Sequence, residues 1–467
     1  MKIKMSQNIY LYLDLLGYKI REIKELKLTQ AINVHSRLYI SAILDESDHI
    51  TPLFSTQPGT QIGLINHNRE QPTIFYGMVK TIQIKHLSGV YYLELLAVSN
   101  TFLLDTKLES RSFQNRNLQY RDLIQSITNG YSASDFFYRE SNQAIGAFTM
   151  QFEETDWTFL TRMASRFNTG LVPDHRFQQP KFTFGIPPGE NRGTLESYNF
   201  YMKKDVSDFM ISSQNWNENL TALDAIRFYI QTEEEFQIGD SVMYRDMELY
   251  VKSIEGQMLE GILLYTCELT TRNGLSQDRI FNDKITGLSL KGKVIESVQD
   301  QVRVHLEIDQ EQHQDTAWNF PYTTTYTAEG SAGWYCMPEA GDTVFIYFPN
   351  KMEENAVGVN SIREHGGVDN PEIKIFRTPN GKELRFSPNE ILLTCVEGSI
   401  FIRLNESSGI EIISSQPVNI NSQSNVNITA MKKANISANS QISLTCNGSS
   451  MILDGMVNID GSEVHIS

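Results

Sequence analysis

One group of side chains in the sequence that could act as acids and bases is Glu153, Glu154 and Asp156. Carboxylates this close together could act as a general acid and a general base. The same residues stand just before an apolar pattern at helical spacing, where free backbone N–H groups and the helix dipole favour acidic side chains. We interpret them as the start of a helix rather than as a catalytic pair.

Candidate metal ligands are few and scattered. His305, His313 and Asp315 could form a site if the fold joined them, but no diagnostic ligand spacing connects them, and one strand residue with two loop residues is the simpler interpretation. The four cysteines contain no Cys-x-x-Cys pair and indicate neither a zinc site nor a disulfide framework. No Walker A, Gly-x-Ser-x-Gly or His-Glu-x-x-His motif occurs. We therefore predict no catalytic residue and no cofactor, and the chain is not expected to be an enzyme.

Composition narrows the class of partner. The chain has 467 residues, a formal net charge of -16 and 40% hydrophobic residues, which is ordinary for a folded protein of two to four domains. The acidic balance, without a concentrated basic surface, argues against nucleic acid as a partner. No apolar run reaches the ~18 residues of a membrane span, and the N-terminus does not read as a signal peptide. We expect synthesis and residence in the cytoplasm.

The elements that must position these residues are mostly strands. Residues 1–105 form a succession of segments rich in Ile, Val, Leu and Tyr, separated by turn residues. A helix is predicted from about Asn117 to Asn129. A second helix is predicted by the three- and four-residue spacing in "ETDWTFLTRMASRFNTG", with Thr155 or Asp156 capping its start and Gly170 taking the left-handed conformation at its end. The fold class predicted is mainly β with a few helices (α+β).

The residue pattern changes at 287–364 and becomes typical of a small closed barrel. Val302, Val304, Leu306 and Ile308 alternate with polar residues, as in a half-buried strand, and Gly341-Asp342 marks a tight turn into "TVFIYF". About 80 residues with a handful of such strands fits an OB-fold. "EHGGVDNPE" then reads as a linker, and Asn380-Gly381 as the turn of a hairpin.

The C-terminal segment is a repeat, because pairs of apolar residues two apart recur every eight positions and then every seven. The residues in register are Ile402, Leu404, Ile410, Ile412, Val418, Ile420, Val426, Ile428, Ala434, Ile436, Ile442, Leu444, Ile452, Val457, Ile459, Val464 and Ile466. A single-chain solenoid needs roughly 20–30 residues per coil, so the octads would give under three coils. If three chains wind together, each octad supplies one side of a triangular layer. We therefore predict a C3 homotrimer with these residues on its axis and every strand paired.

The order of these parts resembles the VgrG family, the trimeric spike proteins of type VI secretion and related contractile injection systems, which are similar to the hub and spike of phage tails. "SRSFQNRNLQYRDLIQSI" is similar to the family's Arg-x-Phe-Gln segment, with Phe113 and Gln114 in place. "FEETDWTFLTRMASRFNTG" is similar to its (E/S)-(S/T)-D-(W/F)-x-F-L signature. The signature continues to an Arg and a Gly, and the residues on its familiar positions are Asp156, Trp157, Phe159, Leu160, Arg162 and Gly170.

The resemblance implies a division of the chain and shows two departures. The expected segments are a β-rich hub barrel at 1–105, a helical connector at 106–144, a second α+β barrel-like hub domain at 145–286, an OB-fold at 287–364, a linker and hairpin at 365–400, and an intertwined trimeric β-helix spike at 401–467. Asn360 stands where the family commonly has Gly, and Asn tolerates positive φ well. The stretch after Trp318 also departs from the family pattern.

The function implied by the resemblance is mechanical. The trimer would cap the tube within the baseplate and pierce a target membrane when the sheath contracts, leaving the cytoplasm on contraction. Expected partners are two copies of the chain, tube and baseplate proteins, a PAAR-type tip protein and effectors. Val464, His465, Ile466 and Ser467 would contact the tip protein, and three copies of His465 could hold an ion. The alternative is a trimeric fibre-like protein that binds or degrades glycans, whose signature would be paired carboxylates in a cleft.

Overall fold

The computed structural model describes residues 13–45, 50–67, 71–196, 199–259, 262–327, 332–364, 370–453 and 455–456. The chain divides into two compact units, Met1–Glu364 and His365–Ser467. Strands far outnumber helices in the described chain, so the mainly β class with a few helices is confirmed.

The first part of unit 1 alternates long strands with short helices. Its elements are β1 (Leu13–Leu16), β2 (Ile20–Ala31), β3 (Val34–Leu44), α1 (Thr51–Ser55), β4 (Gln61–Asn66), β5 (Thr73–Leu87), β6 (Val90–Ser99), β7 (Leu108–Phe113), α2 (Tyr120–Thr128), β8 (Asp135–Tyr138), β9 (Thr149–Thr155), α3 (Asp156–Ser165), β10 (Leu171–Pro173), β11 (Lys181–Phe184), β12 (Asn191–Thr194), β13 (Phe200–Lys204), α4 (Val206–Asn215), β14 (Ile226–Thr232), β15 (Ser241–Tyr244), β16 (Met247–Leu259) and β17 (Ile262–Thr270).

The remaining strands of unit 1 are β18 (Ser289–Val298), β19 (Gln301–Leu306), β20 (Asn319–Pro321), β21 (Thr343–Tyr347) and β22 (Val357–Ile362). Unit 2 contains β23 (Lys374–Arg377), β24 (Glu383–Ser387), β25 (Glu390–Val396), β26 (Ile400–Asn405), β27 (Gly409–Ser414), β28 (Ile442–Cys446) and β29 (Ser449–Leu453). Short 3-10 turns cover Asn100–Asp105, Asn273–Leu275, Asp283–Ile285, Gln314–Thr316 and Glu353–Asn355.

One 12-stranded sheet joins both predicted hub segments. Its main path runs β1-β4-β5-β6-β3-β2-β16-β17-β14-β13, with β15 and β12 attached at β16. The junction is the antiparallel pairing of β2 with β16, in which Thr29 lies opposite Glu255. A continuous core of Leu, Ile, Phe and Tyr side chains covers this sheet from Leu15 to Leu269. The division of the hub into two separate domains stays a prediction.

Unit 1 also contains smaller cores, two of which surround the candidate site residues. Helices α2 and α3 pack against the three-stranded sheet β10-β11-β8 around Leu160, Met163 and Phe182. The second core is formed by side chains of the five-stranded antiparallel sheet β20-β19-β18-β21-β22. Val302, Val304 and Leu306 are buried in this core, as their alternation indicates. The OB-fold assignment for this sheet stays a prediction.

Asn360 illustrates how a sequence departure fits the local backbone. It has a φ of 44°, and the register between β21 and β22 shifts at this point, so that Val359 and Ser361 pair while Asn360 does not. A bulge of this kind requires a residue that accepts a positive φ, and Asn is among the few besides Gly that do so readily.

Candidate self-association surface

The five strands β23-β24-β25-β26-β27 form an antiparallel sheet with chemically different faces. Because side chains alternate along each strand, every second residue shares a face. In β26, Ile402 lies opposite Ile412 of β27 and Leu404 lies opposite Ile410. On the other side of β26, the same two residues pair with β25 residues, which are Leu393 and Ile391 respectively. Two rows of branched aliphatic side chains therefore cross the sheet on one face, which we call the apolar face.

The apolar face is open to solvent in the single chain. Ile410 is 72% exposed and Ile412 is 63% exposed, and Phe386 at the far end of one row is also exposed. Leaving such side chains in water forgoes roughly 1.5–3 kcal/mol each relative to burial. Soluble monomers rarely expose contiguous apolar patches of this kind, which usually mark association sites.

The opposite face of the same sheet carries the charged residues. Glu383 pairs with Arg377 and Arg385, and Arg403 donates to Glu411 at 2.7 Å. Burial acts to raise the pKa of the Glu383 carboxyl, but the two guanidiniums hold it below its usual value. These charged side chains are thus paired within the chain, whereas the aliphatic rows are left exposed to solvent.

The first two octads differ from the predicted arrangement. Each octad is expected to supply one side of a separate triangular layer, but β26 and β27 lie side by side as antiparallel strands. The physical reason is a tight turn: the Asn405 side chain accepts from the backbone N–H groups of Ser407 and Ser408 at 3.0 Å each, and Gly409 adopts a φ of 86°. The apolar residues of both octads nevertheless share one face.

Most apolar residues of the later octads are exposed as well. No strand is assigned between Ser415 and Gln441, and each of Val418, Val426, Ala434 and Ile436 is exposed. Ile420 is 77% exposed and Ile428 is 81% exposed. Ile442 and Leu444 lie in β28, and Ile452 in β29. Whether these residues line a threefold axis stays a prediction. The remaining expected positions lie outside the described residues: Val457, Ile459, Val464, His465, Ile466 and Ser467.

The signature residues of unit 1 occupy the interior around α3. Thr155 caps the helix by accepting from the Thr158 N–H at 3.2 Å. The buried Asp156 carboxylate binds Arg111, the Tyr131 hydroxyl at 2.8 Å and Gln151 at 3.0 Å. A second set of signature residues forms the packing surface of the helix: Trp157, Phe159 and Leu160 are buried in the α2–α3 core. Phe113 stacks on Phe159 at 5.6 Å between ring centroids.

Arg162 is the centre of a buried ionic network. Its side chain is 3% exposed and donates to Glu154 at 2.9 and 2.7 Å, to the Met150 carbonyl at 2.7 Å and to Glu353 at 2.9 Å. Glu353 also accepts from Arg166 at 2.5 Å. Since Glu353 lies in the 3-10 turn before β22, this network fastens α3 to the five-stranded sheet of unit 1.

Gln114 makes a second connection to that sheet. Its side chain donates to the Val304 carbonyl at 3.1 Å and accepts from the Trp318 N–H at 3.0 Å. Nearby, the Asp309 carboxylate accepts from the Ser112 N–H at 2.6 Å and from its hydroxyl at 2.5 Å. Burial raises the pKa of Asp309 despite these bonds.

The expected role of Gly170 was wrong. Its φ is not positive, and the left-handed residue after α3 is Asn168, with a φ of 54°. Gly170 is required for a different reason: a Cβ there would lie 2.4 Å from Asn33 Oδ1 and 2.5 Å from Ile32 Cγ2. The position therefore needs Gly for close approach to the β2–β3 turn.

The candidate chemical groups have structural partners. Of the three acidic residues, Glu154 and Asp156 belong to the arginine networks, and Glu153 is exposed with a φ of 45°. His305 Nε2 lies 3.0 Å from the Asp309 carbonyl, and His313 caps the 3-10 turn that contains Asp315. Over the described residues, no group of three or more His, Cys, Asp and Glu side chains could hold a metal ion.

Several residues of these networks carried no sequence signal. Glu353 stands in "KMEENA", which reads as an exposed acidic turn, yet its carboxylate is buried. Asp309 likewise gains its importance from a partner that is distant in sequence, whereas Arg111 is the first residue of the Arg-x-Phe-Gln segment. In the described part of the chain, no helix is long and apolar enough to cross a membrane.

Comparison with known proteins bears on the fold. No protein-family model matches the sequence, and no curated protein matches it. Among solved structures, the Escherichia coli c3393 protein has a TM-score of 0.54 at 13% identity, with 75% of this chain and 99% of that chain covered; it is described as a type VI secretion component structurally similar to the T4 phage tail proteins gp27 and gp5.

Two Francisella PdpA–VgrG complexes are also similar. The half-lidded form has a TM-score of 0.55 at 10% identity over 86% of this chain and 87% of that chain. The lidded form has the same TM-score and identity over 87% and 80%. The chain therefore has the fold of gp27/gp5-like tail proteins. Within that class its fold is VgrG-like, which confirms the family resemblance read from the motifs.

Proposed function

We propose that this protein is the structural spike of a contractile injection system and acts as a homotrimer. The observation that carries the proposal is the solvent-exposed apolar face of the sheet in unit 2, continued by the exposed octad residues up to β29. A single chain cannot cover these rows, whereas three chains related by a threefold axis can turn them toward one another. The VgrG-like fold supports the same assignment.

The mechanical role that we propose follows from the rigidity that a membrane-piercing spike requires. A trimer with an apolar axis and fully paired backbone would be rigid, and we propose that it caps the tube end within the baseplate. Sheath contraction would drive it from the cytoplasm through a target membrane. No bond needs to be made or broken, so the role proposed is not enzymatic.

The proposed partners follow from this role. They are two further copies of the chain, tube and baseplate proteins, a PAAR-type tip protein and effectors carried on the spike. The segment 464–467 remains the proposed contact for the tip protein, with His465 as the candidate for an ion on the threefold axis.

The test is the oligomeric state of two matched variants, measured by light scattering. We expect the full chain at three times 53.3 kDa. Ile428→Asp would place three carboxylates on the axis and should abolish the trimer, because burying unpaired charges is costly. Asn427→Asp alters the neighbouring residue, which is expected to face outward, and should leave the trimer intact.

The pair of variants also tests the register itself. If both variants are equally trimeric and equally heat-resistant by circular dichroism, the inward and outward assignment is wrong. A monomeric wild-type chain that hydrolyses glycans would instead support the alternative function.

A further inference from the structure

A cavity of about 410 Å³ lies between α4 and the end of the long sheet in unit 1. Helix α4 connects β13 to β14, and none of its residues is buried. Asp205, Asp208, Phe209 and Ser212, which recur at helical spacing along one side, line the cavity. The helix therefore covers this part of the sheet without filling the space beneath it.

Seven charged side chains line the cavity, and five of them are bonded to other residues of the protein. These are Asp205 with Lys203, Asp224 with Thr221 and Thr271, Arg227 with Thr270 and Glu268, Glu268 also with Ser253, and Asp278 with Ser212. The distances of the bonds from Thr221, Thr270, Ser253 and Ser212 are 2.7–2.8 Å. These five side chains are thus hydrogen-bonded or ion-paired without a ligand.

The other two, Lys252 and Asp208, differ. Within the described chain, neither the Lys252 ammonium nor the Asp208 carboxylate has a hydrogen bond or ion pair, although Glu268, Asp205 and Asp278 attract Lys252 electrostatically and Asp208 attracts Lys203. Lys252 extends from β16, and burial together with the Arg227 guanidinium lowers the pKa of its ammonium. A partly buried ammonium without a partner is costly, so a carboxylate bound beside it would be stabilised.

The charges also limit the class of ligand. A simple anion would meet Asp208 and the other carboxylates of the wall, and a simple cation would leave the Lys252 ammonium without a hydrogen-bond acceptor. A molecule that carries one charge of each sign satisfies both unpaired groups. Phe209, Leu220 and Ile280 offer apolar surface for the body of such a molecule.

We propose that this cavity is a binding site for a small zwitterion with an apolar body, such as a free amino acid or a dipeptide. Its carboxylate binds Lys252 and its ammonium binds Asp208, while the side chain packs against Phe209. The site lies wholly within unit 1, and the inference does not depend on the trimer proposed above.

Calorimetric titration of the full chain with three related molecules tests the charge requirement. L-leucine carries both charges, isocaproate only the carboxylate, and isoamylamine only the ammonium. We expect L-leucine to bind in the millimolar range or tighter and at least about tenfold more strongly than either single-charge analogue. Equal affinity for L-leucine and isocaproate, or no binding heat from either L-leucine or leucyl-leucine at millimolar concentration, would overturn the proposal.

Two variants assign the charges to residues. Lys252→Met should weaken L-leucine binding at least about tenfold and remove its advantage over isoamylamine. Asp208→Asn should remove its advantage over isocaproate. Lys291→Met, on the exposed side of β18, is the matched control and should bind as wild type. Asp208→Asn alters an exposed carboxylate and keeps the assignment testable if Lys252→Met fails to fold. Unchanged L-leucine binding in a folded Lys252→Met protein would refute the site.

Discussion

The two units of the chain treat apolar and charged residues in opposite ways. In unit 1, the strands and helices close over cores in which residues such as Leu160 and Val304 are fully buried, and the Arg162 network is satisfied inside the chain. In unit 2, charged side chains bond to one another across a sheet while the aliphatic rows face solvent. Unit 1 therefore buries its main apolar cores within a single chain, whereas unit 2 leaves its aliphatic rows exposed there.

This difference predicts which measured property a substitution in each unit should change. Substitutions in unit 1 should change a free energy of unfolding that does not depend on protein concentration. Loss of the apolar face in unit 2 should change an association that does depend on concentration. The Ile428→Asp variant, which should abolish the trimer, is the largest effect expected, and the following changes in unit 1 are smaller.

Arg162→Met should lower the free energy of unfolding of unit 1 by about 3–5 kcal/mol. The substitution leaves Glu154 and Glu353 buried without their shared cation, and removal of one partner from a buried ion network has a cost of that size. Urea unfolding followed by tryptophan fluorescence measures it. The control is Lys24→Met, whose exposed pair with Glu22 should contribute at most about 1 kcal/mol. Equal losses in the two variants would show that the network does not hold α3 in place.

His175 should make unit 1 sensitive to acid. Burial lowers the pKa of this imidazole from its ordinary value of 6.5 to about 4; Asp174 opposes this shift and Arg176 adds to it, both with smaller effects. The unfolded chain therefore binds a proton that the folded chain does not between these values. The stabilisation is complete above pH 6.5 and is lost as pH falls to about 4, by roughly 3 kcal/mol.

The variant His175→Gln isolates this contribution, because it can keep a side-chain contact with Ser36 but cannot titrate. Its unfolding free energy should fall less between pH 6.5 and 4 than that of the wild type. His86→Gln, on the exposed end of β5, should reproduce the wild-type pH dependence. Parallel curves for the wild type and His175→Gln would assign the acid sensitivity to other groups.

The contrast between the units also explains what the sequence could predict. Helix α3 followed from local spacing and a capping residue, and the shared face of the first two octads from their period. The turn at Asn405–Gly409 was missed because an eight-residue period looks the same whether the chain advances or folds back. The pairing of β2 with β16 and the burial of Glu353 both depend on residues about 200 positions away, and no local pattern carries that information.

Gly170→Ala should have the smallest effect of the three changes in unit 1, about 1–3 kcal/mol. The new Cβ would displace Asn33, which accepts from the Leu171 N–H at 2.8 Å through its side chain and from Trp157 Nε1 at 3.0 Å through its carbonyl. Gly130→Ala is the matched control, because the nearest atom to its Cβ is the Ile127 carbonyl oxygen at 3.4 Å. That variant should be unchanged or slightly stabilised, by up to about 1 kcal/mol, through a less flexible unfolded chain.

The two glycine variants separate close packing from backbone conformation, since neither position has a positive φ. Equal melting temperatures for Gly170→Ala and Gly130→Ala would mean that the β2–β3 turn can move away from α3 without loss. A lower melting temperature in Gly170→Ala alone would show that the β2–β3 turn and helix α3 are held by the same packed core. Because the contact lies inside unit 1, the drop should be the same at every protein concentration.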